Sequence, residues 1–207
     1  MADGILKVGT ITTSSGSGTI TLGQSGETVS VPSGATLDMS SGTMTLNSSM
    51  KNTPSFSVYA SGETTCSSGA YTVIQYNTKE FDTDTKFNTS GYYYEIPTTG
   101  KYQINIQARA SNQNNAQYYY GIALYKDTSS GFGSETQIAF QRYLSGYGNH
   151  SYSPEVNHHL VDCMSFTAGE FLRTKWYISG GNGGGVYGNS SGQPRSSTWS
   201  MTRLIGA

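Results

Sequence analysis

The chain has 207 residues, of which 12 are Lys or Arg and 13 Asp or Glu, for a net charge of −1. So few and so balanced charges exclude the basic face that an electrostatic nucleic-acid binder needs. The 26 glycines, the frequent Ser, Thr, Asn and Tyr, and the lack of a long helical period favour an all-β protein with many turns.

The opening residues, Met1 to Lys7, show no charged start followed by an apolar run of signal-peptide type. No stretch approaches the length of a membrane-spanning helix. The chain is therefore expected to assemble in a cytoplasm, without membrane insertion, and residues 1–16 are expected to be an attachment segment.

A Ser-Gly pair then returns every eight residues, at Ser17-Gly18, Ser25-Gly26, Ser33-Gly34 and Ser41-Gly42. Glycine supplies the backbone angles of a tight turn and serine bonds the neighbouring backbone. Between the turns sit apolar pairs two residues apart: Ile20 and Leu22, Val29 and Val31, Leu37 and Met39, Met44 and Leu46. That spacing points both members to one face of a short strand. A single thread has no second layer to cover such a face, and isolated short strands are marginal in water. Residues 17–53 are thus expected to form a β stem of several chains, with these eight residues as the contacts. A flexible Ser/Thr/Gly linker is the plainer alternative, but a linker has no need of apolar pairs in register with its glycines.

Beyond residue 53 the period vanishes. Residues 54–207 are enough for an independent core. The clearest strand spans 101–110, where Tyr102, Ile104, Ile106, Ala108 and Ala110 alternate with Gln103, Asn105, Gln107 and Arg109. Further strands are expected over 71–76, 119–125 (with Tyr119 in the core), 171–178 and 198–205. On the last, Trp199, Met201 and Ile205 share a face. Turn signals at Ser90-Gly91, Thr99-Gly100, Ser145-Gly146, Ala168-Gly169 and Ser191-Gly192 separate the strands. Many short alternating strands with polar turns imply a two-sheet sandwich. Cys66 and Cys163 fit no metal spacing and are expected as free thiols.

Several of these segments resemble the globular head of complement component 1q, one of the tumour-necrosis-factor-like jelly rolls. Residues 54–59 resemble its opening strand. Tyr76, Asp82, Phe87, Tyr94, Gly100 and Tyr102 fall at the spacings of its signature, with Tyr76, Tyr94, Ile104 and Ile106 in place of its usual aromatic residues. Residues 166–170 resemble its Gly-Asp turn, and 198–205 its closing strand. The resemblance spans the head except for about residues 111–160. It implies a jelly roll and a homotrimer, which the stem requires on separate grounds. The stem in turn resembles repeats in structural proteins of marine bacteriophages, through residues 18–22 and 31–36.

Four patterns could carry chemistry. Gly188-Asn189-Ser190-Ser191-Gly192 matches the hydrolase elbow, but Gln193-Pro194-Arg195 starts no helix after it. Residues 183–188 match a dinucleotide fingerprint without the helix that it must open. His158 and His159 are neighbours on a strand and point to opposite faces, so one is expected inside and one at the surface instead of sharing a metal. Asp82 and Asp84 have no catalytic partner and are expected to cap a turn. No catalytic residue, metal or cofactor is expected.

The loops offer a stronger signal. Tyrosine among Ser, Gly and Asn is the mixture that binding loops use. Tyr118, Tyr120, Tyr147, His150, Tyr152, Asn182 and Tyr187 are the candidates for a receptor or glycan site. The layout as a whole is that of a virion structural protein of a bacteriophage: a trimeric tail fibre or appendage, joined to other virion proteins by its N-terminal segment and binding a host-surface receptor or polysaccharide by its head. The alternative is a capsid decoration or tail-junction protein that only stabilises the particle.

Overall fold

The computed structural model describes residues 9–12, 18–22, 25–38, 40–43, 45, 53–111, 117–144, 157–180, 184–188 and 195–204. Two compact units emerge, Met1–Thr45 and Leu46–Ala207.

In the first unit the expected turns form. Gly26 and Gly34 hold φ of 89° and 83°, a region that side-chain-bearing residues avoid. The Ala35 amide donates to the Pro32 carbonyl at 3.0 Å. Among the described residues no strand forms between these turns in a single copy. The reason is physical: a strand exists through a neighbour's hydrogen bonds, and the described residues of this unit supply none. Ile20, Leu22, Val29, Val31 and Leu37 are accordingly 44–65% exposed. Met39, Met44 and Leu46 lie outside the described residues.

The second unit is all β. Its strands are β1 (Ser55–Tyr59), β2 (Thr64–Cys66), β3 (Tyr71–Val73), β4 (Thr78–Asp82), β5 (Phe87–Asn88), β6 (Tyr93–Glu95), β7 (Gly100–Ser111), β8 (Gln117–Asp127), β9 (Thr136–Leu144), β10 (Asn157–Phe166), β11 (Phe171–Gly180), β12 (Gly184–Val186) and β13 (Thr198–Arg203). One sheet runs β2-β12-β7-β13-β1-β4, with β10 also on β7; the other runs β5-β6-β11-β8-β9, with β3 also on β11. All pairings are antiparallel. Of the dinucleotide-like glycines, Gly184 and Gly185 lie on strand β12 and open no helix.

The alternation read in residues 102–110 holds. Tyr102, Ile104, Ile106, Ala108 and Ala110 are buried and meet Tyr94, Ile122, Leu124, Leu172, Trp176 and Ile178 of the other sheet in one core. At one end Trp199 lies edge-on to Phe56 (5.2 Å between ring centroids) and Phe87 (5.5 Å). Edge-to-face pairs of this kind add about 0.5–1.5 kcal/mol each beyond the area they bury. Only three residues of the expected strand 71–76 pair as β3. Asp82 caps the turn before β5, its carboxylate accepting from the Lys86 amide at 3.2 Å and the Phe87 amide at 2.9 Å. Strand β4 ends its sheet and carries Lys79, Glu80 and Asp82. Cys66 is buried, Cys163 is exposed, and both are free thiols.

Candidate functional site

Of the loop residues proposed from sequence, Tyr147, His150, Tyr152 and Asn182 lie outside the described residues, as do the side chain of Tyr118 and the elbow-like residues 189–192. Tyr187 is described and half-buried. Its carbonyl accepts the Ser197 hydroxyl at 2.6 Å, and the Arg109 guanidinium lies 5.4 Å from its ring centre.

Tyr120 and Tyr119 exchange the roles expected of them. Tyr120 is 5% exposed and packs in the core against Trp176 (5.8 Å) and His158 (4.8 Å), so it is withdrawn from any ligand. Tyr119 is half-buried and faces outward, with the Arg142 guanidinium 3.9 Å above its ring. The cause is parity. Ile122 and Leu124 point into the core, and Tyr120 shares their face.

His158 is fully buried, whereas His159 is exposed, as alternation requires. The His158 ring sits in an aromatic box formed by Tyr143 (3.9 Å), Tyr120 (4.8 Å) and Trp176 (5.3 Å). Neither ring nitrogen has a hydrogen-bond partner among the described residues. Burial, assisted by the nearby His159, lowers its pKa to about 4, so the ring is neutral.

Residues that sequence reasoning passed over share the outer face of the second sheet. On β11, Leu172, Trp176 and Ile178 point inward, which turns Phe171, Arg173, Lys175 and Tyr177 outward. Arg173 and Lys175 both engage Glu135, Arg173 at 2.6 Å. Asp127 accepts from the amides of Ser134 (2.9 Å) and Ser129 (3.1 Å), and these bonds hold its carboxyl below the usual range. A hollow of about 620 Å³ opens beside Lys79 and Lys86, but both lysines are paired, with Asp82 (3.1 Å) and Glu95 (2.7 Å). These carboxylates serve turns and ion pairs. The signal for the outer face was present in the alternation of residues 171–178. It was missed because Leu172, Trp176 and Tyr177 read as one apolar run.

Two antiparallel sheets packed face to face around an aromatic core form a jelly-roll sandwich. Solved structures share it. Eiger TNF from S. frugiperda superposes with a TM-score of 0.55 at 13% identity, covering 74% of this chain and 93% of that one. Murine APRIL gives 0.52 at 10%, covering 72% and 98%. The globular domain of zebrafish complement 1qA gives 0.49 at 12%, covering 73% and 96%. No family model matches the chain, and no curated protein does.

Proposed function

We propose that this chain is a virion structural protein of a bacteriophage: a homotrimeric tail fibre or appendage whose head binds a host-surface receptor or glycan. Residues 1–16 attach it to other virion proteins, and the stem holds the head away from the particle. It works by binding, without catalysis. Three linked heads let weak contacts add through avidity.

One observation carries this reading. Five apolar stem residues stand 44–65% exposed on a protomer whose turns are already formed. Such surface calls for cover, and copies of the same chain, with the same eight-residue period, supply it in register. The jelly-roll head suits the same assembly, since the resemblance noted in its sequence implies a trimer.

The test is the mass of the full chain by sedimentation, followed by adsorption of the labelled chain to host cells. The expected results are three times 22.2 kDa and saturable binding weakened by Tyr147→Ala and Tyr152→Ala. A monomer with an ordered stem overturns the fibre. Tight binding to capsid shells, with none to cells, moves the assignment to a decoration protein.

A further inference from the structure

The outer face of the β3–β11–β8–β9 sheet carries a continuous layer of aromatic rings. Tyr71 on β3 pairs in register with Tyr177 on β11, and their ring centres are 4.6 Å apart. Tyr177 lies 5.4 Å from Tyr119 on β8, with ring planes 22° apart. Tyr71 also touches Tyr125 (5.6 Å) and Phe140 (6.2 Å). Gly121 makes the layer possible, since a Cβ there would come within 2.7 Å of the Phe140 ring. At the layer's edge the Tyr125 hydroxyl donates to the Gln137 side-chain oxygen at 3.1 Å. Tyr71 is 39% exposed, so the layer is open to a ligand.

Charge on this face is uneven. Arg173 and Lys175 are neutralised by Glu135. Arg142, exposed at the end of the layer above Tyr119, has no carboxylate partner among the described residues. Among the described residues the face is therefore a row of rings with hydroxyl rims, ending in a guanidinium that has no carboxylate partner there.

We propose that this face is a binding site for an acidic polysaccharide, whose sugar rings lie along Tyr71 and Tyr177 and whose carboxylate meets Arg142 above Tyr119. The C–H face of a pyranose packs on an aromatic face, and its hydroxyls exchange hydrogen bonds with the phenol rims. A guanidinium grips a carboxylate with two parallel donors. An organic cation is disfavoured because Arg142 and Lys175 already occupy the ring faces of Tyr119 and Tyr125. The site rests on the reading of the head as a binding module, but uses neither the loop tyrosines nor the virion context.

The experiment is titration of the full chain with oligogalacturonate by calorimetry, beside dextran as the neutral sugar and oligothymidylate as the stacking polyanion. Oligogalacturonate is expected to bind at least about tenfold more tightly than either. Tyr177→Ala and Arg142→Gln should each weaken it about tenfold, the loss typical of a binding anchor. Val161→Ala, on the exposed face of β10 in the other sheet, should leave it unchanged, and Arg142→Lys should restore part of the affinity without restoring the fork. Both altered side chains are outside the core, and unchanged thermal midpoints would show the variants folded. Absent binding, equal binding of dextran, tighter binding of oligothymidylate, or full affinity in both folded variants would each overturn the proposal. If the chain still adsorbs to host cells under any of those outcomes, this site falls while the head's receptor role stands.

Discussion

His158 should make the head acid-sensitive through a single ring. Its pKa falls from the ordinary 6.5 to about 4 on folding, because the aromatic box excludes water and offers neither nitrogen a partner. Between those values the unfolded chain binds a proton that the folded chain refuses, so stability falls as pH falls. The loss begins near pH 6.5, reaches about 2 kcal/mol at about pH 5 and levels near 3 kcal/mol below about pH 4. Carboxylates also titrate in this range, so the comparison must be with a variant lacking only the imidazole. His158→Phe keeps an aromatic ring in the box and removes the titration. Urea unfolding of both proteins at neutral pH and about pH 5 gives the answer. The original chain should lose about 2 kcal/mol more than the variant over that interval. Equal losses would mean that the ring accepts its proton without cost, and would refute the argument from burial.

Two further outcomes follow from the core and the thiols. Trp199→Ala should cost about 3–5 kcal/mol, because it empties the space between Phe56 and Phe87, and should lower the thermal midpoint by roughly 10 °C. A loss below about 1 kcal/mol would show that this end of the sandwich repacks freely. A maleimide should modify Cys163 quickly and Cys66 only on unfolding, since Cys66 is 2% exposed and burial pushes its thiol up to about 12. Rapid uptake of two equivalents by the folded chain would contradict that placement.

Parity decided how much of this could be read in the chain. Strand β7 was plain because its apolar residues fill one face and amides with Arg109 the other. The adjacent histidines followed the same rule. Tyr118 to Tyr120 are three identical residues and carry no parity of their own. Their faces follow only from Ile122 and Leu124 further along, and that extrapolation assigns Tyr120, not Tyr119, to the core. Residues 111–160 resisted for a related reason. Strand β9 bears Phe140 on the outer face and Ile138 against the core, so it shows no clean alternation. Strand β10 places a histidine inside. The outer platform assembles Tyr71, Tyr119, Phe140 and Tyr177 from four strands, and only the sheet order brings them together. In the stem, sequence marks the turns, but a β ladder belongs to two strands and cannot be read from one.

Strand β4 bears on how such a chain stays soluble. Among the described residues its outer rim pairs with no strand, and such an edge is the natural template for a foreign strand to zip onto. In a protein with only 25 ionisable Lys, Arg, Asp and Glu side chains, three fall within these five residues, and Glu80 reaches Arg195 at 2.6 Å. An incoming strand would have to strip water from that cluster before it could add on. Neutralising the rim would invite edge-to-edge pairing of this unit into precipitating ribbons at high concentration.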